Sequence, residues 1–149
     1  MIRRAKIEDA EILAALAGQM WPERGPDELT EEFRELMMRE DAACFLKYID
    51  GKPIAFAHSQ LRRDYVEGTD SSPVGYLEGI FVTKEHRRKS YAAELLAECE
   101  KWAAEKGCRE FASDCELDNA ESLKFHLALG FEEANRIICF RKDLQTCFD

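Results

Sequence analysis

The sequence contains no apolar run long enough to cross a membrane, because the apolar stretch after Tyr91 is interrupted by Glu94, Glu98 and Glu100. The first nine residues carry charges where a signal peptide would need an apolar segment. Internal repeats, low-complexity tracts and linkers are also missing, and a length of 149 residues suits one hydrophobic core. We therefore expect a cytoplasmic protein with one domain, residues 1–149, and no membrane partner.

The cysteine pattern also lacks the signs of a disulfide framework or a zinc site. None of the six cysteines has C-x-x-C spacing, and no histidine lies near one at ligand spacing. We expect no metal, and we interpret most of the cysteines as small buried hydrophobic residues. They are Cys44, Cys99, Cys108, Cys115, Cys139 and Cys147.

Basic residues are in the minority, with 21 Lys and Arg against 30 Asp and Glu, for a formal net charge of −9. An excess of acid disfavours contact with a phosphate backbone, so nucleic acid is not an expected partner. A cationic substrate suits this charge, although acidity also serves solubility alone.

The order of helical and extended patterns predicts one mixed sheet. Apolar spacing indicates helices at 9–20, 30–37, 92–106 and 121–129, with Asp9 and Thr30 as the first two N-caps. The Asp50-Gly51 pair predicts a hairpin between strands at 44–49 and 53–61. A polar surface loop is expected at 62–74, and further strands at 75–82, 110–115 and 137–142. This order fits a single mixed-sheet α/β domain.

The most informative segment runs from a strand through a basic turn into a helix. The turn contains Arg87, Arg88 and Lys89, immediately before the helix that starts near Ala92. Unpaired N–H groups at a helix start, together with nearby cations, form a phosphate-binding site. Three bases also occur on exposed turns that bind nothing, and from this segment alone that interpretation is preferred.

This segment resembles the pyrophosphate loop of the GCN5-related N-acetyltransferases, R/Q-x-x-G-x-G/A, which residues 87–92 match except for Ser90 in place of glycine. Residues 119–131 resemble the N-x-x-S/A…L-G-F helix of the same family. The resemblance implies the family fold, in which helices cover both faces of a mixed, mostly antiparallel sheet. It also implies acetyl-CoA as co-substrate.

Coenzyme contacts follow from the same resemblance. The fourth-strand backbone at Ile80, Phe81 and Val82 is expected to pair with pantetheine, and Asn119 is expected to contact the same arm. The pyrophosphate is expected at Arg87, Arg88, Lys89, Ser90, Tyr91, Ala92 and Ala93.

The implied reaction is direct attack of an amine on the thioester, so Cys115 is not needed as a nucleophile and is expected to be a strand residue. His126 stands where many relatives have a proton-donating tyrosine, and the alternative is a histidine that only packs on its helix. Glu78 and Asp114, near the ends of two strands, are candidates for binding the ammonium and removing its proton. Which of the two is the base stays open, as does the interpretation of both as ordinary solvated acids.

Residues 64–80 and 110–114 also resemble the aminoglycoside 6′-N-acetyltransferases, especially in Tyr-x-x-Gly-Thr-x-Ser-Ser-Pro-Val-Gly, Leu-Glu-Gly and Phe-Ala-Ser-Asp. The resemblance implies an aminoglycoside acceptor, acetylated at its 6′-amine, and a homodimer. The implied acceptor site consists of Trp21, Tyr65, Glu78, Asp114 and Asn135.

Three alternatives remain at this point. Polyamines and lysine-bearing peptides are cationic acceptors too. Trp21 and Tyr65 can instead belong to the core or to a subunit contact. The third alternative is a protein that binds the coenzyme as a sensor and has little catalytic activity. Its main support is Ser90, which stands where the family usually has glycine.

Overall fold

The computed structural model describes residues 1–145, in which four α-helices accompany a five-stranded sheet. The elements, in chain order, are β1 (Ile2–Arg4), α1 (Ala10–Met20), α2 (Pro26–Met37), β2 (Ala42–Ile49), β3 (Lys52–Arg62), β4 (Val74–Val82), α3 (Tyr91–Glu105), β5 (Phe111–Ala112) and α4 (Ala120–Ala128). Within residues 1–145, no helix is both long and apolar enough to cross a membrane.

The first two helices begin differently from the sequence expectation. Asp9 does precede α1, but its carboxylate is held by Arg3 and by the backbone N–H of Lys6 instead of capping the helix. The second helix starts at Pro26 and not after Thr30, so the prediction of Thr30 as its cap is wrong. Proline suits the first helical position because that N–H needs no partner there. The Thr30 hydroxyl, inside the helix, donates to the Pro26 carbonyl.

The sheet has the order β1-β2-β3-β4-β5, antiparallel except for the parallel pair β4 and β5. Asp50 and Gly51, with φ of 50° and 76°, form the predicted hairpin turn between β2 and β3. The loop between β3 and β4 lies at 63–73, as expected. The predicted mixed, mostly antiparallel sheet is confirmed.

Helices cover both faces of this sheet, which confirms the predicted layering. On one face, Leu13, Leu29 and Phe33 from α1 and α2 pack against Phe56 and Phe81. On the other face, α3 buries apolar residues against Ala55, Ala57 and Leu77 of β3 and β4. The α3 residues are Leu95, Leu96, Cys99, Trp102 and Ala103.

The C-terminal part of the chain departs most from the prediction. Only Phe111 and Ala112 form β5, so the strand expected at 110–115 is much shorter, and Cys115 is an exposed residue outside it. The strand predicted at 137–142 is absent, and the side chains of Ile138 and Phe140 are 79% and 90% exposed. A strand needs a hydrogen-bonding neighbour. No described strand runs alongside this segment, so its apolar pattern does not produce one.

The cysteine prediction holds only in part. Cys44 and Cys99 are buried, and burial raises the pKa of both thiols, that of Cys99 to about 12. Cys108 is half-buried, while Cys115 and Cys139 are exposed because they lie in segments that the sheet does not incorporate. Cys147 lies outside the described residues.

Candidate functional site

A bulge and a free edge on β4 mark the centre of the candidate site. His58 of β3 pairs with Gly79 and Ser59 pairs with Leu77, so Glu78 lies between them as an extra residue on β4. Such a bulge bends the strand and leaves the extra residue outside the regular pairing. On the other side of β4, pairing with β5 ends at Tyr76 and Ala112. The β4 edge at residues 77–82 therefore has no neighbouring strand within residues 1–145.

The predicted pantetheine contacts, Ile80, Phe81 and Val82, lie on this free edge. An extended ligand with amide groups can hydrogen-bond there as an added strand would. The Val82 carbonyl also accepts a hydrogen bond of 2.8 Å from Arg87 Nε. The guanidinium of Arg87 lies 5.6 Å from the Phe81 ring centroid. Arg87 thus closes the turn after β4 in addition to contributing charge.

The basic turn leads directly into the N-terminus of α3. The first N–H groups of this 15-residue helix, from Tyr91, Ala92 and Ala93, have no carbonyl one turn earlier and are available to an anion. Arg88 and Lys89 are exposed beside them. Both Arg88 and Ser90 have φ of 66°, a left-handed conformation that favours glycine. The structure therefore explains why glycine suits position 90.

Asn119 lies at the start of α4, where its Oδ1 accepts a 3.0 Å hydrogen bond from the Ser122 backbone N–H. This contact is an N-cap, and it leaves the amide nitrogen of the same side chain to donate elsewhere. Among residues 1–145, no group of three or more His, Cys, Asp or Glu side chains has the arrangement of a metal site.

A pocket of about 420 Å³ opens beside the bulge and contains two of the predicted acceptor-site residues, Trp21 and Glu78. Trp21 enters at the C-terminal end of α1, and Glu78 enters from the bulge. The complete lining is Trp21, Arg24, Leu29, Glu32, Phe33, Glu35, Leu36, Arg39, Phe56, His58, Glu78 and Gly79. An aromatic face and carboxylates suit an aminated sugar ring.

Asp114 is not in the wall of this pocket but is linked to it. The Glu78 carboxylate accepts hydrogen bonds of 2.9 and 2.8 Å from Arg62 Nε and Nη2. The guanidinium of Arg62 lies 3.4 Å from the centroid of the Tyr76 ring, and the Tyr76 hydroxyl donates to Asp114. Burial, together with the Asp114 carboxylate, raises the pKa of Tyr76. The two predicted acids are therefore joined by two residues that the sequence analysis did not select.

His126 is half-buried on α4 and uses both ring nitrogens. Nδ1 lies 2.7 Å from the Ser122 carbonyl oxygen, which only accepts, so in the neutral ring Nδ1 carries the proton. Nε2 then accepts from the Ser113 hydroxyl at 2.8 Å. The ring also packs edge-on against Phe125 and Phe131. Because Ser113 immediately precedes Asp114, this hydrogen bond places His126 next to the segment that carries Asp114.

Tyr65 and Asn135 are placed apart from the pocket wall. The Tyr65 side chain is 75% exposed in the loop between β3 and β4. Its hydroxyl accepts a hydrogen bond from the Gly68 N–H. Asn135 donates to Glu67 of the same loop at 3.0 Å. The loop at 63–73 and the segment near residue 135 are thus in contact, but in this structure they do not close over Trp21 and Glu78.

Three residues of this region, Arg62, Tyr76 and His58, are not among those predicted from the sequence. Tyr76 and Glu78 are two residues apart, which places them on one face of a strand, and that period is the signal that identifies Tyr76. Arg62 was assigned to the loop, although it is the last residue of β3. His58 occupies the pocket wall because the bulge lies opposite it. Burial lowers the pKa of His58 to about 4, and its Nε2 has no hydrogen-bond partner among the described residues.

Comparison with known proteins finds a matching family and similar folds. The sequence profile of the acetyltransferase (GNAT) family matches residues 10–131. An aminoglycoside N(6′)-acetyltransferase type 1 from Salmonella enteritidis is 42% identical over 141 residues, covering 95% of this chain and 97% of that protein.

Two solved structures have closely similar folds. AAC(6′)-Iy in complex with the bisubstrate analogue CoA-S-monomethyl-acetylneamine has a TM-score of 0.92 at 41% identity, covering 97% of this chain and 98% of that chain. The aminoglycoside 6′-N-acetyltransferase AAC(6′)-Ih from Acinetobacter baumannii has a TM-score of 0.90 at 38% identity, covering 97% and 99% respectively.

Proposed function

This chain belongs to the acetyltransferase (GNAT) family, and from that premise we propose that it transfers the acetyl group of acetyl-CoA to the 6′-amine of aminoglycosides. The observation that carries this proposal is the position of the Trp21 and Glu78 pocket directly beside the bulged, free-edged part of β4. An acceptor amine bound at Glu78 lies next to the strand edge on which an acyl donor is expected.

The coenzyme side is proposed to hold acetyl-CoA by two kinds of contact. The free β4 edge at residues 80–82 pairs with the pantetheine arm, and Asn119 supports it with its side-chain amide. The pyrophosphate binds the N–H groups at the start of α3, with Arg88 and Lys89 adding charge. Because these cations are exposed, added salt weakens the binding.

Acetyl-CoA supplies a thioester whose carbonyl an amine attacks directly. The chain stabilises the negative charge that develops on the carbonyl oxygen with backbone N–H groups near the β4 bulge, a contribution on the order of 3 kcal/mol per donor in other enzymes. We assign Glu78 and Asp114 to binding the acceptor ammonium and to removing its proton, directly or through water. Buried Cys44 and Cys99 and exposed Cys115 take no part.

His126 is proposed to protonate the departing thiolate. Since Nδ1 is held by the Ser122 carbonyl, Nε2 is the atom that carries the transferable proton when the ring is charged. The Ser113 hydroxyl beside it fixes the ring orientation in the absence of substrate. Trp21, Tyr65 and Asn135 are proposed to complete the acceptor site, and Asn135 is linked to the loop that carries Tyr65 by its hydrogen bond to Glu67.

We also propose that the protein is a homodimer. Ile137, Ile138 and Phe140 expose large apolar side chains in a segment that forms no strand with residues 1–145 of its own chain. Burial of such a segment against a second copy removes apolar surface from water. Cys147 and Phe148, apolar residues near the C-terminus that permit a dimer, lie outside the described residues.

The proposed activity is tested with purified protein, acetyl-CoA and a panel of amines. The central comparison uses two aminoglycosides that differ only in an amine or a hydroxyl at the 6′ position, together with a polyamine and a lysine peptide. We expect thiol release with the 6′-amine and none with the 6′-hydroxyl, and NMR of the product should place the acetyl group on the 6′ nitrogen. Turnover of the polyamine alone contradicts the proposed acceptor, and coenzyme binding without turnover of any amine favours a sensor.

A further inference from the structure

Arg62 makes the most direct contact with the proposed acceptor acid. Both arms of its guanidinium bind Glu78, with distances of 2.9 Å from Nε to Oε2 and 2.8 Å from Nη2 to Oε1. Two parallel hydrogen bonds of this kind fix the plane of a carboxylate as well as its position. The Glu78 side chain is 18% exposed and that of Arg62 is 41% exposed, so the carboxylate is shielded from water more than the guanidinium is.

The same guanidinium lies against the Tyr76 ring, which is buried. The Tyr76 hydroxyl in turn donates to Asp114. Asp114 follows the last paired residue of β5, Ala112, so sheet pairing does not fix its backbone. Glu78, Arg62, Tyr76 and Asp114 therefore form one continuous network across the gap between β4 and β5.

This network leaves Glu78 able to bind an acceptor. Each carboxylate oxygen accepts two hydrogen bonds, and Arg62 takes one on each oxygen. Arg62 does not line the pocket, and the two arginines that do are paired with other carboxylates, Arg24 with Glu28 and Glu32 and Arg39 with Asp41. Arg62 therefore orients the Glu78 carboxylate, and each carboxylate oxygen can still accept one hydrogen bond from an amine in the pocket.

We propose that Arg62 is a positioning residue of the acceptor site, which orients Glu78 toward the acceptor amine. This inference rests on the proposed acetylation of aminoglycosides. Arg62 acts through Glu78, and because the network contains one cation and two carboxylates, Glu78 and Asp114, it keeps a net negative charge for the acceptor ammonium. A lysine at this position keeps the positive charge but cannot make the bidentate hydrogen bonds of the guanidinium.

The test compares Arg62→Met, Arg62→Lys, Glu78→Gln and the double variant Arg62→Met/Glu78→Gln. The matched control is Arg63→Met, which removes a neighbouring exposed arginine that makes no ion pair within residues 1–145. Kinetics with a 6′-amino aminoglycoside give kcat and KM, and calorimetry gives the Kd of acetyl-CoA. Thermal unfolding verifies that each variant is folded.

We expect Arg62→Met to lower kcat/KM by about 10- to 100-fold, the range for lost hydrogen bonds to a charged group. Arg62→Lys should recover part of that loss, and the Kd of acetyl-CoA should stay within about twofold. Because Arg62 acts through Glu78, the double variant should be little slower than Glu78→Gln alone.

Three results overturn the inference alone: unchanged turnover in folded Arg62→Met, losses that multiply in the double variant, or an equal loss in Arg63→Met. A rise of the acetyl-CoA Kd that matches the loss in turnover also overturns it, because the substitution then disturbs the coenzyme side as much as the acceptor side. If the unaltered protein acetylates no aminoglycoside, the proposed function fails, and the inference fails with it.

Discussion

The coenzyme side of the proposed site is local in sequence, whereas the acceptor side is assembled from distant segments. One strand, one turn and one helix start, residues 80–93, supply nearly all of the proposed coenzyme contacts. The acceptor pocket takes Trp21 from the end of α1, Glu35 from α2, His58 from β3 and Glu78 from β4. A local site depends on backbone conformation, and an assembled site depends on packing.

The two regions also differ in how their charges are held. Arg88 and Lys89 are exposed and form no ion pair among the described residues, so they are available to an anion but screened by salt. On the acceptor side, Glu78 and Arg62 already bind each other. Substitutions should therefore affect the two sides through different measured quantities, which the following predictions use.

The largest effect is expected for Glu78→Gln. The amide removes the negative charge that binds the ammonium and leaves Arg62 without its carboxylate, so kcat/KM for a 6′-amino aminoglycoside should fall by about 100-fold. Steady-state kinetics measure this loss, and the acetyl-CoA Kd should not change. Asp114→Asn should show the same pattern.

Glu100→Gln, on the exposed side of α3, is the control and should match the unaltered protein. If coenzyme binding falls as much as turnover in both acidic-site variants, the division between the two sides is wrong. If neither variant changes turnover, Glu78 and Asp114 are not in the acceptor site.

The next largest effect is expected for Arg88→Glu on the coenzyme side. Reversal of a charge beside the α3 N-terminus should raise the Kd of acetyl-CoA by about 30-fold, in line with the loss of a charge-assisted contact and a new repulsion. Calorimetry at two salt concentrations measures it, and the difference from the unaltered protein should shrink at high salt. Lys84→Glu, at a nearby exposed cation, is the control. An unchanged Kd removes this turn from the coenzyme site.

His58 gives a pH-dependent prediction for the pocket wall. Its pKa is lowered to about 4 by burial, against an ordinary value of 6.5, while Glu78 and Arg39 nearby act in opposite directions. As the pH decreases, the unfolded chain therefore binds a proton at His58 before the folded protein does. The contribution of His58 to the free energy of unfolding is fully present above pH 6.5 and is lost as the pH decreases toward 4. Titration of His58 should lower the free energy of unfolding by about 2 kcal/mol over this range.

Urea unfolding at pH 7 and pH 4.5 measures this loss, and His58→Asn provides the comparison because asparagine does not titrate. Other groups, including Asp9, contribute equally to both proteins. An identical pH dependence in the two proteins contradicts the buried, neutral state of His58.

His126 lies at the junction of the two regions and should show a smaller effect. His126→Ala removes both the hydrogen bond and the acid, and His126→Gln keeps a donor without useful acidity. If Nε2 delivers the proton, both variants should lower kcat by about 10-fold or more and alter its pH profile. Ser113→Ala, which removes only the partner of Nε2, should be affected less.

Recovery of the rate in His126→Gln points to hydrogen bonding instead of proton delivery. Full activity in folded His126→Ala identifies His126 as a packing residue against Phe125 and Phe131.

The smallest effect is expected for Ser90→Gly. Ser90 has φ of 66° and its side chain does not cap α3, so glycine should relieve backbone strain and stabilise the protein by about 1 kcal/mol. Lys89→Gly is the control, since residue 89 is not among the positive-φ positions and should gain nothing. Urea unfolding without coenzyme measures both. A loss of stability in Ser90→Gly would show that the serine is adapted to this turn.

Several elements of the fold were predictable because their signals are local. The Asp50-Gly51 turn, the α3 stripe of Leu95, Cys99 and Trp102, and the β4 segment follow from residues that are neighbours in sequence. Local conformation and periodicity are properties of short segments, so the sequence determines them without the rest of the chain. The position of the basic turn before α3 was predictable for the same reason.

Other features depended on contacts between distant segments. The apolar pattern at 137–142 suited a strand, but a strand forms only where another strand offers hydrogen bonds, and residues 1–145 offer none there. Glu78 and Asp114 were identifiable as acids of two predicted strands, but the expectation that Glu78 lies near a strand end is wrong, because it lies at the bulge in the middle of β4. That Arg62 and Tyr76 connect them depends on the β4 bulge and on the end of β5 at Ala112. Tyr76 and Asp114, 38 residues apart, meet there because the sheet aligns β4 with β5, and no short segment encodes that alignment.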